Sequence, residues 1–150
     1  MDFNEYQNKS YIAIQDHENN KEEVMHWAIG LGEEAGEALS VIKHRYYGGK
    51  YDIEDLVSEL GDVLWYIAAL CTANGIKLED VAKYNISRLY HRYPTLEFDD
   101  ARSKSRHQLD GNFRQSVEAQ IIMEKIKGRQ NSEGIQSGAH SSGCSFTGHS

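Results

Sequence analysis

Two pairs of carboxylates, each separated by three residues, are the part of this sequence best suited to chemistry. Glu34 and Glu37 form the first pair, and Glu59 and Asp62 form the second. Residues at positions i and i+3 share one face of an α-helix, so a helical segment would hold each pair side by side. Four hard oxygen ligands suit Mg²⁺ or Mn²⁺ better than Zn²⁺. The spacing therefore predicts a divalent-metal site, and the alternative is an ordinary solvated acidic face on each helix.

Both segments have the apolar periodicity of amphipathic helices. The apolar stripes consist of Val24, Ala28, Leu31, Ala35, Ala38 and Ile42 on the first segment and Leu56, Leu60, Val63 and Ile67 on the second. Each carboxylate pair lies to the same side of its own stripe. The link over residues 45–52 is short, which favours antiparallel packing. Antiparallel packing of stripe against stripe would bring all four carboxylates to one edge of the seam.

The rest of the chain has the pattern of an all-α protein with a four-helix-type bundle. Apolar periodicity and helix stop signals predict helices over residues 3–17, 22–44, 55–70 and 78–93. Phe113, Val117, Ile121 and Ile122 indicate a further short helix. From about residue 131 the chain is rich in Ser, Gly and His, so a disordered C-terminal tail is expected.

The carboxylates also carry a family resemblance. The pattern EExxE, followed some twenty residues later by ExxD, resembles the signature of the MazG-like all-α nucleoside triphosphate pyrophosphohydrolases. It is formed here by Glu33, Glu34, Glu37, Glu59 and Asp62. The likeness continues through the stretches LGDVLWYIAAL, NGIKLEDVAKYN and RLYHRYP. It implies a pyrophosphohydrolase domain over residues 1–106, followed by a short helical extension over 107–130 and the tail over 131–150.

The resemblance implies Mg²⁺-dependent hydrolysis of a nucleoside or deoxynucleoside triphosphate to the monophosphate and pyrophosphate. Glu34, Glu37, Glu59 and Asp62 are then the expected metal ligands. Glu33 or Glu34 is the expected catalytic base, since one carboxylate must accept a proton from the attacking water. Glu33 lies nearly opposite the apolar stripe, so a solvent-facing position is its alternative.

Four residues are candidates for binding the substrate. Trp27 lies close to Glu34 on the helical wheel, so its ring could stack on a base, or it could belong to the core. Asn85, Arg88 and Arg92 share one helical face, for which the alternative is a solvated surface. By resemblance, Asn85 and Arg88 are associated with the nucleotide site, although the family more often has Lys at the position of Arg88.

Bulk properties limit the partners of the chain. The net charge of −7 argues against binding a nucleic-acid polymer. The sequence shows no obvious bilayer-spanning run or signal peptide, so no membrane partner is expected. Cys71 and Cys144 lie in different settings, which favours two free thiols and a cytoplasmic location. The resemblance implies a homodimer or homotetramer.

Two alternatives remain open from the sequence. A related enzyme on the same scaffold could be a dUTP or dCTP specialist or an alarmone hydrolase. A catalytically silent helical interaction module would instead use its apolar faces for assembly.

Overall fold

The computed structural model describes residues 1–10, 20–50 and 52–132, and these contain seven α-helices and no β-strand. The helices are α1 Phe3–Ser10, α2 Asn20–Tyr46, α3 Ile53–Ala73, α4 Leu78–Arg92, α5 Asp100–Lys104, α6 Arg106–Arg114 and α7 Val117–Ser132. The all-α prediction is confirmed, and the four predicted helices correspond to α1–α4. The second half of the predicted first helix and residues 133–150 of the tail predicted to be disordered lie outside the described residues. Residues 131 and 132, also predicted to belong to that tail, are instead the last two residues of α7.

Local capping sets the ends of α3. Asp52 precedes the helix, and its side chain accepts a 2.9 Å hydrogen bond from the Glu54 backbone N–H. Such a bond satisfies one of the amide groups left without a partner at a helix start. The helix stops at Asn74, and Gly75 follows with φ of +62°, a conformation that glycine adopts without strain.

Gln7 of α1 joins the end of α3 to the beginning of α4. Its side-chain oxygen accepts a 2.8 Å hydrogen bond from the backbone N–H of Leu78. Its amide nitrogen donates to the Ile76 carbonyl at 2.9 Å and to Thr72 Oγ1 at 3.0 Å. Because Lys77 makes no side-chain cap for α4, the cap comes from a distant part of the chain.

The main packing contact of the fold is between α2 and α3. Trp27 of α2 is buried against Ala69 and Ala73 of α3. On its other side α3 meets α1 and the start of α4, where Cys71 and Leu78 are buried. The helix α3 is therefore the central element of the bundle.

By length and composition, α3 is also apolar enough to cross a membrane, which the sequence analysis did not expect. Core helices of water-soluble proteins share this property. Here α3 packs against α1 and α2, and it carries Glu59 and Asp62 near its middle. Only 22% of its most apolar stretch is buried against the described residues, and carboxylates at that depth would be costly in lipid.

The C-terminal helices α6 and α7 pack against α4. Phe113 of α6 is buried, and its ring contacts Tyr84 and His91. Asp80 of α4 is also buried and pairs with Lys125 and Arg129 of α7. Burial alone would raise the pKa of Asp80, but the hydrogen bonds from these two cations outweigh it and lower the pKa.

Candidate metal centre

The helices α2 and α3 pack antiparallel. Residues that meet across the seam are Trp27 with Ala69, Gly30 with Tyr66, Glu34 with Asp62 and Glu37 with Glu59. Residue numbers fall on α3 as they rise on α2, which defines the antiparallel direction. The short link between the helices requires the same arrangement. Both carboxylate pairs therefore lie at the same level of the hairpin.

Glu34, Glu59 and Asp62 each offer a carboxylate oxygen, and these three oxygens lie within 4.8 Å of one another. Glu37 joins the group through its contact with Glu59. We call these four residues the carboxylate cluster. Opposite ligands of a Mg²⁺ ion with bonds of about 2.1 Å are about 4.2 Å apart. The three oxygens are therefore close to coordination distance, and their hard, charged character suits Mg²⁺ or Mn²⁺.

The electrostatics of the carboxylate cluster are repulsive. Partial burial, followed by the charges of Asp62, Glu37 and Glu33, raises the pKa of Glu34. Partial burial, followed by the nearby Glu37, also raises the pKa of Glu59. Within residues 1–10, 20–50 and 52–132, no cation is among the groups that shift either pKa. Like charges at short range resist ionisation, and a bound divalent cation removes that penalty.

The seam is rotated relative to the sequence expectation. Glu34 and Glu59 are half-buried within the seam, whereas Ala28, Ala35 and Leu60 of the predicted stripes are exposed. The predicted stripes consist of aliphatic residues and leave out the large aromatic side chains. Trp27, Trp65 and Tyr66 occupy the seam because they bury the most apolar surface.

A glycine makes this close seam possible. A Cβ atom at Gly30 would overlap the ring of Tyr66, so only glycine allows the two helices to approach at this level. Gly30 is one turn before Glu34, and Tyr66 is one turn after Asp62. The close approach therefore brings the carboxylates of the two helices together.

A sequence model of the MazG nucleotide pyrophosphohydrolase domain matches residues 20–97, just over half of the 150 residues. The chain belongs to this family. Neither a curated protein nor a solved structure matches the chain. The match contains the whole carboxylate cluster and all of α2, α3 and α4, whereas α1, α6 and α7 lie outside it.

Tyr66 is a residue of this MazG domain that the sequence analysis did not select. Burial, followed by the charges of Glu34, Glu33 and Asp62, raises the pKa of its phenol. Its hydroxyl therefore stays protonated beside the carboxylates and can donate a hydrogen bond. The sequence did contain a signal for Tyr66, because position 66 lies on the same helical face as Glu59 and Asp62, one turn further along.

Trp27 and Glu33, the other candidates on α2, differ in exposure. Trp27 is only 2% exposed and is surrounded by His26, Trp65 and Tyr66, which fits the core alternative. A base could reach its ring only if these neighbours moved. Glu33 is exposed and lies beside the carboxylate cluster, where its charge acts on Glu34 and Tyr66.

The three α4 candidates come together in a second group, with Asp110 of α6. Arg92 forms a fork with both Asp110 oxygens, with distances of 2.7 and 2.6 Å from Nη2 and 3.2 Å from Nε. Arg88 donates to Asp110 at 3.4 Å and to Asn85 Oδ1 at 2.8 Å. We call Asn85, Arg88, Arg92 and Asp110 the guanidinium cluster.

Proposed function

We propose that this MazG domain hydrolyses nucleoside or deoxynucleoside triphosphates to the monophosphate and pyrophosphate with Mg²⁺ as cofactor. One observation carries the proposal: three carboxylate oxygens lie within 4.8 Å of one another inside the segment that matches the family. In this reaction a water oxygen bonds to the α-phosphorus, the α–β anhydride bond breaks, and pyrophosphate leaves with the electron pair.

Glu34, Glu37, Glu59 and Asp62 are the residues that would hold the metal, and Mn²⁺ could replace Mg²⁺. When bound, the metal supplies neutralisation of phosphate charge and a lower pKa for water. The unfavourable concentration of negative charge in the metal-free cluster supports this assignment, since the metal would relieve it.

A carboxylate beside the metal ligands would take the proton from the attacking water. Glu34 is the first candidate because it lies within the carboxylate cluster, beside the position that the metal and its water would take. Glu33 is the second candidate, and its exposed position beside Glu34 leaves it accessible to water. The Tyr66 hydroxyl can orient the accepting carboxylate through a hydrogen bond.

Asn85, Arg88 and Arg92 would bind the triphosphate, because guanidinium groups bind phosphate oxygens through paired hydrogen bonds. Trp27 would bind the base only in a conformation that uncovers its ring. These four assignments share one test: alanine at each position should raise KM for the nucleotide more than it lowers kcat.

Exposed apolar side chains on α2 and α3 support the proposal that the chain assembles into a homodimer or homotetramer, while the cytoplasmic location stays a prediction from the sequence. They are Met25, Ile29, Leu39 and Ile42 on α2 and Ile53, Val57, Leu60 and Leu64 on α3. Large exposed apolar patches mark interaction surfaces in soluble proteins. Light scattering of the intact chain and of Leu60→Glu tests this: the variant should have the lower mass.

The primary experiment measures pyrophosphate release from each of the eight common NTPs and dNTPs with Mg²⁺. Asp62→Asn and Glu37→Gln should lower the rate by about 100-fold or more, because metal coordination stabilises the transition state by several kcal/mol. Glu54→Gln is the matched control, since Glu54 is exposed at the start of α3 and outside the carboxylate cluster.

The substrate preference found in this experiment distinguishes the proposed function from its alternatives. Strong preference for dUTP or dCTP would identify a specialist, and cleavage of alarmone nucleotides alone would identify that class of hydrolase. Without any metal-dependent cleavage or metal-dependent thermal stabilisation, the protein would be a silent interaction module and the proposal would be wrong.

A further inference from the structure

The two arginines of the guanidinium cluster are engaged by an anion of the protein itself. Both oxygens of Asp110 lie on the Arg92 guanidinium, at 2.6 and 2.7 Å from Nη2. The Asp110 carboxylate also contacts Arg88 at 3.4 Å. Carboxylate and phosphate oxygens bind a guanidinium fork in the same way, so Asp110 occupies a position that a phosphate could take.

The compensation of charge in this cluster is incomplete. Two guanidinium groups share one carboxylate, which leaves a net positive charge in a protein whose overall charge is −7. The Arg92 side chain is 13% exposed, whereas that of Arg88 is 34% exposed and has only the longer contact to Asp110. Arg88 can therefore meet an anion first, while Arg92 becomes available only when Asp110 leaves.

The segment that carries Asp110 is a short helix that packs against α4 and also contacts α5 and α7. The helix α6 spans Arg106–Arg114, and Phe113 is its only buried residue. Phe113 and Asp110 both attach α6 to α4. The family match ends at residue 97, so α6 lies outside the matched segment.

We propose that Asp110 is an internal competitor of the substrate, which holds Arg88 and Arg92 until the phosphates of a nucleotide displace it. This inference rests on the proposed function, in which the same arginines bind the triphosphate. Substrate binding is then coupled to release of the Asp110 carboxylate, and the α6 segment lowers the apparent affinity for nucleotide. An anion tethered within the same chain competes effectively because its local concentration is high.

The test uses the full chain and inorganic tripolyphosphate, the part common to all nucleoside triphosphates. Calorimetric titration without divalent metal prevents binding through the carboxylate cluster, so that the measurement reports on the guanidinium cluster. A fixed ionic strength keeps the screening of charges equal between variants. If Asp110 holds the two arginines in about nine tenths of the wild-type molecules, Asp110→Asn should bind tripolyphosphate about tenfold more tightly than the wild type. Asp110→Glu keeps the charge and should restore affinity to within about threefold of the wild type.

Two further variants control for charge and for folding. Asp100→Asn removes the same charge from an exposed residue that pairs only with Lys104 in the described part of the chain, so its affinity should change by less than about twofold. Phe113→Ala loosens α6 without changing any charge and should also raise the affinity, which keeps the test decisive if Asp110→Asn folds poorly. In the Asp110→Asn background, Arg92→Ala should remove the gain.

Unchanged or weaker binding by both Asp110→Asn and Phe113→Ala, with helix content retained by circular dichroism, would overturn the inference. An equal gain in Asp100→Asn would also overturn it, because a general charge effect would then suffice. Failure of the proposed function is distinguishable, since it appears as no Mg²⁺-dependent pyrophosphate release from any nucleotide. The titration requires no turnover.

Discussion

The carboxylate cluster and the guanidinium cluster concentrate charge in opposite ways. In the first, Glu34, Glu37, Glu59 and Asp62 meet, and in the described part of the chain no cation is among the groups that shift the pKa of Glu34 or Glu59. In the second, Arg88 and Arg92 meet around a carboxylate from another helix. The hydrogen bond from Arg92 lowers the pKa of Asp110, whereas partial burial and neighbouring anions raise the pKa of Glu34 and Glu59.

This difference in charge compensation means that ligand binding at the two candidate sites has different energetic consequences. Repulsion within the carboxylate cluster destabilises the folded protein, and a bound divalent cation would remove that repulsion. The repulsion therefore favours cation binding. The guanidinium cluster is already paired, so a ligand must replace an internal bond there. Mutations that neutralise a carboxylate should therefore raise stability in the carboxylate cluster and lower it in the guanidinium cluster.

Gly30→Ala should have the largest effect, because the new Cβ would overlap the Tyr66 ring and separate α2 from α3. Overpacking of this kind lowers the free energy of unfolding by about 1–3 kcal/mol. It should also abolish stabilisation by Mg²⁺, while leaving tripolyphosphate binding at the guanidinium cluster intact. Urea denaturation with and without Mg²⁺ measures both effects.

The control for this change is Gly32→Ala on the same helix, where an added Cβ meets nothing within 4 Å. Alanine in a helix interior is favoured over glycine by about 1 kcal/mol, so this variant should be slightly more stable. Equal destabilisation by both variants would show that the Gly30 and Tyr66 contact is not the cause.

Asp110→Asn should lower the free energy of unfolding by about 1.5 kcal/mol, because it removes charge-assisted hydrogen bonds to Arg92. Stabilisation by Mg²⁺ should stay at the wild-type value, since α6 contributes nothing to the carboxylate cluster. A loss of Mg²⁺ stabilisation would contradict the separation of the two clusters.

The pairing of Asp110 with Arg92 should also appear in the dependence of the free energy of unfolding on acid pH. The lowered pKa of Asp110 means that its stabilisation is present above the ordinary value of 3.8 and is lost as pH falls through the folded value. Unfolding free energies measured between about pH 2 and pH 5 should therefore fall less steeply in Asp110→Asn than in the wild type. Parallel curves would mean that the Asp110 pairing contributes no pH dependence.

Glu59→Gln should have the smallest effect on stability and the opposite sign. In EDTA the neutral side chain removes repulsion from Glu37 and Glu34, so the melting temperature should rise. With Mg²⁺ the order should reverse, because the variant has lost a metal ligand. A lower melting temperature in EDTA would show that Glu59 is already compensated.

Local sequence spacing was enough to predict the carboxylate cluster. Positions i and i+3 on a helix are neighbours in any fold, and the short link required α2 and α3 to pack antiparallel. The rotation of the seam was predicted wrongly, because it depends on how the Trp27 and Tyr66 rings pack across two helices. Helical spacing alone does not contain that information.

The guanidinium cluster was predicted only in part. Asn85, Arg88 and Arg92 share a helical face, so their proximity follows from spacing alone. Asp110 lies 18 residues after Arg92, on a different helix, and its role depends on tertiary packing. The same is true of Asp80, whose partners on α7 lie 45 and 49 residues away. Pairings between separate helices leave no local periodic signal.

The Gln7 side chain has a consequence for the order in which the chain folds. Its three partners lie 65, 69 and 71 residues further along the sequence. Contacts between α2 and α3 span shorter separations and close at a smaller entropic cost. We therefore expect the α2–α3 hairpin to form early. Although α1 leaves the ribosome before α3 and α4, it can pack only after they have formed, so we expect α1 to be among the last of the described helices to reach its final position.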